Sequence, residues 1–322
     1  MRVLPGVLAG FAAAIGIAGI ATDADAARYT ASKVSFQDIT GGVTITTTGG
    51  EDVEISVRQG KIYHPVTVKE VDGVLVIAGE RWRDDETRNC CDNRIRRTEN
   101  LKRDRVAAIA AGAEDRNAFL EEFPVIAISL PRKSDVSFVD ARIKLAMGAL
   151  DGRLMLDACY VYGETGDLGE ATIGVISGSR LAIGNVKSML EIDVSGKADV
   201  TGGSAAMADI DIAGPGDVMI GAVDGMLDVS IAGSGLARIA RIDGPMTVRI
   251  AGSGSVAVQG GRADKLTATI DGSGGVFHEG TSVAPVLRLY GSPTVRLGGV
   301  EGRITRYGHG EVYIDGKLVS KP

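Results

Sequence analysis

The sequence predicts an all-β chain wound into a parallel β-solenoid (a β-helix), with coils of about 19 residues and two short strands per coil. Three observations carry that expectation. Gly178, Gly196, Gly214, Gly233, Gly252, Gly272, Gly291 and Gly308 recur 17 to 20 residues apart. A short run of alternating apolar and polar residues precedes almost every one of them. The interval then leaves no room for a helix between successive strands, which rules out a βαβ crossover.

Within one unit the first strand ends at the marker glycine. Two residues before it stand Val194, Ile212, Ile231, Ile250, Ile270 and Leu289, and four before it Ile192, Ile210, Val229, Val248, Ala268 and Leu287. The positions between are mostly polar, which is the period-two pattern of a strand with one buried face. Four residues beyond the glycine an apolar column resumes at Val200, Val218, Ala237, Val256, Val276, Val295 and Val312. It opens a second short strand, such as DVMIGAV over 217–223. The glycine supplies the positive φ of the corner between the two. The G-S-G phrase also occurs in phosphate-binding loops, but here no helix follows and no Lys-Ser/Thr closes the pattern. A lone coil cannot bury its apolar face, so the units come in series.

Composition fits this architecture. Glycine contributes 45 of 322 residues, and aromatics only 4%, as suits a narrow core of Val, Ile, Leu and Ala. The formal charge of −6 argues against nucleic acid, which takes a basic face. Arg2, the apolar stretch 7–21 and the A-x-A site Ala24–Asp25–Ala26 predict an export signal over 1–26. The expected product is a single solenoid domain over 27–322, exported to a periplasm or cell surface, with no membrane span in the mature chain.

Residues 28–82 read as the first coils in looser register. The stretch 81–123 reads as an insertion thrown out from one corner: 81–105 holds nine Arg/Lys and six Asp/Glu, and 107–123 suits a short helix. Trp82 is placed at the root of the insertion. Cys90, Cys91 and Cys159 are the only cysteines. In an oxidising compartment Cys159 pairs with Cys90 or Cys91, leaving one thiol over. His64, His278 and His309 are scattered and read as surface or turn residues, so zinc finds no ligand set.

No nucleophile elbow, zinc-binding helix, C-x-x-C pair or EF-hand loop occurs. The one constellation is acidic. Parallel stacking sets equivalent positions ~4.8 Å apart. Glu191, Asp209 and Asp228 then make one column, with Asp193 and Asp211 beside it. Such a face is either solvated or a weak Ca²⁺ site with oxygen ligands; no other cofactor is expected. Later coils carry Arg249, Arg288 and Arg303, so the face changes sign along the axis. β-Helices of similar outline cleave acidic polysaccharides with Asp clusters and Arg on an exposed sheet, which makes a polysaccharide-active lyase or hydrolase the alternative function. General acid–base work needs carboxylates held in a groove, and only the insertion offers a wall.

The run IAGSGLARIARIDG, VRIAGSGSVAVQG and ATIDGSGGV within 231–276 resembles the GIN-type head domain of putative autotransporter adhesins. The section 128–169 looks like related exported adhesin-like solenoid domains of unknown function. The resemblance covers about 30–318 without the insertion, and implies a right-handed stacked β-solenoid and no catalytic residues. The expected function is a non-catalytic, envelope-associated module that is adhesin-like, binding or structural, with polysaccharide or protein as partner. A third expectation is end-to-end assembly through an uncapped coil.

Overall fold

A computed structural model describes residues 27–61, 65–79, 123–176 and 178–319. The expected export signal, most of the expected insertion (Cys90, Cys91 and Trp82 included) and His64 lie outside the described residues. Among those described there is no helix, and strands stack as parallel coils of about 19 residues over about nine turns.

Two long ladders build the solenoid. On the first face the strands Val186–Ser195, Ala205–Gly214 and Leu227–Gly233 pair in parallel, followed by the later halves of Leu236–Gly252 and Gly261–Gly272 and by Val286–Gly291. Their register sets Val194, Ile212, Ile231, Ile250, Ile270 and Leu289 in one line. On the second face Val200, Val218, Ala237, Val256, Val276, Val295 and Val312 form another. Both lines are buried along their length and meet in one continuous core. A shorter third ladder joins them through Leu150, Leu168, Val186 and Ala205, and Ala205 pairs on to Val223.

The corner glycines explain the period. Gly214, Gly233, Gly252, Gly272 and Gly291 stand in register, with φ between 92° and 131°. A Cβ on Gly252 would lie 2.4 Å from the carbonyl oxygen of Gly233. Both the turn and the stacking therefore exclude a side chain. Gly308 departs from the column: it pairs with Leu289, two residues before Gly291, which accounts for the shortened last interval.

The N-terminal part corrects the expectation of plain first coils. Lys33–Gln37 and Thr40–Thr48 make one coil, and Asp135–Met147 stacks on one side of it. On its other side lie Val74–Ala78 and Val125–Pro131, which together form a coil interrupted at its corner by 80–122. Stacking order thus departs from chain order. Outside that coil the pairing turns antiparallel, Thr67–Val71 against Val74–Ala78 and Val53–Arg58 against Val125–Pro131. A reversed strand closes a parallel stack because it need not present another coil's edge. Phe36 and Phe138 stack at 4.4 Å between ring centroids inside this end, and Phe123, expected within the insertion, is buried. The last coil likewise carries a reversed strand, Lys317–Leu318 on Glu311–Ile314.

His278 is a second correction. It occupies an apolar column with Val258 and Leu297, is 1% exposed, and its Nδ1 lies 2.8 Å from Ser282 Oγ. His309 is exposed as expected. Burial lowers the affinity of His278 for a proton below the ordinary value of 6.5. The unfolded chain therefore takes up the proton first, so stability is complete above 6.5 and is lost as pH falls from there towards the lowered value.

Two measurements follow. Gly252→Ala lowers the urea midpoint, a loss of about 1–3 kcal/mol, whereas Gly260→Ala, whose Cβ meets nothing within 4 Å, leaves it nearly unchanged. Equal effects would contradict the stacked corner. Stability of the natural chain falls below pH 6.5 with a slope up to about 1.4 kcal/mol per pH unit, and His278→Leu removes that part of the slope.

Candidate functional site

The predicted carboxylates do line up on the first face. Glu191 pairs with Asp209 and Asp209 with Asp228, while Asp193 pairs with Asp211. The alternation that buries Ile192, Ile210 and Val229 turns these acids outward. They are not five equivalent free charges. Asp228 is held by Arg249 at 2.8 Å, and Glu191 accepts a hydrogen bond from Thr172 Oγ1 at 3.2 Å. Partial burial, then the neighbouring Asp211 and Glu191, raises the carboxyl of Asp193. Asp209 is raised by burial first and then by Asp211, Asp228, Glu191 and Asp193.

The acid column begins earlier than the sequence reading placed it. Gly174 pairs with Asp193 on one side and Asp157 on the other. Asp157 is raised by burial and then by Asp140. Asp157 escaped the repeat because the marker glycines start only at Gly178; the alternation LMLDA over 154–158 was its one signal. Beyond Asp211 the column continues through Ser230, Arg249, Thr269 and Arg288 to Tyr307. The change of sign is therefore real at Arg249 and Arg288. Arg303 is not part of it, since it lies between the strands Thr294–Glu301 and Thr305–Gly308. Met207 and Met226, both exposed, border the carboxylates on the side away from the corner.

Among the described residues no group of three or more His, Cys, Asp or Glu side chains is placed to hold a metal ion. Columns keep neighbouring carboxylates one strand spacing apart on a flat sheet, and a flat sheet does not wrap six or more oxygens around one ion.

A shallow groove of about 730 Å³ lies nearer the N-terminal end, with Lys33, Asp135, Asp151, Arg153, Glu170 and Lys187 in its wall. Four of these six charged side chains pair with one another. Arg153 meets Glu170 at 2.7 Å, and Asp151 accepts from Lys187 and, at 3.2 Å, from Arg132. Those hydrogen bonds, Lys187 first, hold the Asp151 carboxyl below its usual range. A general acid needs the opposite shift. The raised carboxyls sit on the open face instead.

Cys159 is buried and disulfide-bonded. Beside it burial pushes the Tyr160 phenol up to about 12. No helix among the described residues is long and apolar enough to cross a membrane. No family model matches this chain, and a search of curated proteins finds none similar to it.

The acidic columns carry a stability cost that can be measured. Because Asp193 and Asp209 are raised, the folded chain binds their protons at higher pH than the unfolded one, so stability rises as pH falls into the carboxylate range. Asp209→Asn with Asp211→Asn raises the urea midpoint at pH 7 and low salt, by about 0.2–1 kcal/mol for each like-charged pair removed. The gain shrinks in high salt. A loss of stability at pH 7 would contradict net repulsion along the acidic columns.

Proposed function

We propose that this protein is an exported, non-catalytic binding module of the cell envelope, adhesin-like in using flat sheet faces to meet a polysaccharide or protein. The observation that carries this reading is the regularity of the outward columns, where one side chain per coil repeats over many coils. Contacts that are individually weak sum along such a row when the partner is itself repetitive. The resemblance of 231–276 to adhesin head domains and the A-x-A site after an apolar stretch support export and display.

The alternative, a polysaccharide lyase or hydrolase, draws support from the groove beside the acidic columns. Its chemistry is less well served. The groove carboxylate with the clearest surroundings, Asp151, is held in its ionised form by two cations. The carboxyls suited to give up a proton, Asp157, Asp193 and Asp209, have no opposing wall among the described residues.

Sedimentation of the purified chain with envelope polysaccharide and envelope protein fractions, followed by a reducing-end and unsaturated-product assay, separates the two. The expected outcome is saturable retention with no new chain ends. Steady product release would replace this reading by the enzymatic one.

A further inference from the structure

The arginines of the described residues differ in whether a carboxylate holds them. Arg132, Arg153, Arg180, Arg241, Arg249 and Arg262 each pair with a carboxylate. Arg238, Arg288, Arg296 and Arg303 have no hydrogen-bond acceptor or ion-pair partner among the described residues, and all four lie in the C-terminal part of the solenoid, from the strand Leu236–Gly252 onward. The aromatics follow. No Phe, Tyr or Trp occurs between Tyr162 and Phe277, and then Phe277, Tyr290, Tyr307 and Tyr313 all reach solvent at least in part.

Two of the uncommitted arginines share one outward column of the second face. The register runs Met219, Arg238, Ala257, Phe277, Arg296, Tyr313, one residue per coil and with no acid among them. The Arg296 guanidinium lies 5.6 Å from the ring centroid of Phe277 and 5.4 Å from that of Tyr313. A ring thus stands on either side of it along the column, and its N–H donors have no acceptor among the described residues. The neighbouring column reads Leu236, Ser255, Gly275, Thr294. A Cβ on Gly275 would come within 2.7 Å of two ring carbons of Phe277, so the ring lies down over that glycine. The result is a low floor of Ser, Gly and Thr beside a ridge of Arg and Phe. Over 236–241, 255–260, 275–280 and 294–299 Glu279 is the one acid, and the floor column is bounded by Asp217 beside Leu236 and Glu311 beside Thr294.

We propose that this strip binds an acidic polysaccharide, a chain of sugars bearing carboxylates, laid along the solenoid axis; this deepens the binding reading above and rests on it. Three coil steps separate Arg238 from Arg296, about 14 Å. Spaced guanidiniums of that kind match carboxylates that recur along a chain, because a planar fork takes a carboxylate by two parallel hydrogen bonds. Rings on both sides of Arg296 narrow the room in which its side chain can swing before the ligand arrives, which reduces the ordering cost of binding. The ridge offers ring edges and apolar surface to sugar C–H groups, and Ser255 and Thr294 offer hydroxyls to sugar hydroxyls. A nucleic acid would need a continuous basic face, whereas this strip is intermittent and its neighbouring face is acidic upstream.

The test is titration calorimetry with oligogalacturonate and oligomannuronate, with neutral dextran as the comparison. The natural chain binds the acidic oligomers in a salt-sensitive manner and dextran far more weakly. Arg238→Ala with Arg296→Ala weakens acidic binding by about tenfold or more, and Arg296→Lys, which keeps the charge but loses the fork, also weakens it. Thermal unfolding checks that each variant is folded. Unchanged affinity in the double variant, or equal affinity for dextran, overturns the strip. If the double variant binds the acidic oligomers as the natural chain does and still sediments with envelope fractions, the strip falls and the broader binding reading stands. If the natural chain binds neither the fractions nor the oligomers, both fall.

Discussion

Parallel stacking in register, one coil directly over the next at ~4.8 Å, is the constraint from which the other features descend. Whatever occupies a position in one coil faces its own counterpart above and below. Inside, that demand is met by lines of Val, Ile and Leu that fill one another's gaps. At the corners it demands glycine, because the carbonyl of one Gly sits where the Cβ of the next would be. Outside, it turns single substitutions into rows, so charge cannot be scattered and must be either paired across coils or endured. Arg249 on Asp228 is the paired case, and Asp209 between Glu191 and Asp228 is the endured one.

The interior of the repeat was legible because its period is local. Ile231, Gly233 and Ala237 declare strand, corner and strand within seven residues, and the next unit repeats them. The N-terminal end was not legible. Val74–Ala78 and Val125–Pro131 share one coil across 46 intervening residues, and the antiparallel strands outside them exist to close an edge, a condition no local pattern carries. His278 could have been placed, since it stands two residues after Val276 as Val258 stands after Val256. The pairing of Glu191, Asp209 and Asp228 followed from counting, but the arm of Arg249 reaching back to Asp228 depends on side-chain length and direction.

The two ends of the molecule use charge differently. Towards the N-terminal side the groove carries several ionic groups that largely neutralise one another, which leaves little for a ligand to gain. Towards the C-terminal side some guanidiniums meet rings and no carboxylate, as Arg296 does with Phe277 and Tyr313 and Arg288 with Tyr307 at 5.8 Å, while Arg241, Arg249 and Arg262 keep ion pairs. A cation held by π faces keeps its hydrogen-bonding edge. The cations open to a ligand on the second face are therefore those in the Arg238–Arg296 column.

Every surface of the solenoid depends on the register of its outer columns, and spin labels can measure that register. Ser195, Ala213, Ala232, Ala251, Asp271 and Tyr290 form one exposed line five steps long. Labels at Ser195 and Tyr290 should therefore report a single narrow distance near 24 Å, within the reach of the label arms. A broad distribution, or a mean far from that value, would contradict the stacked columns and with them every surface described above.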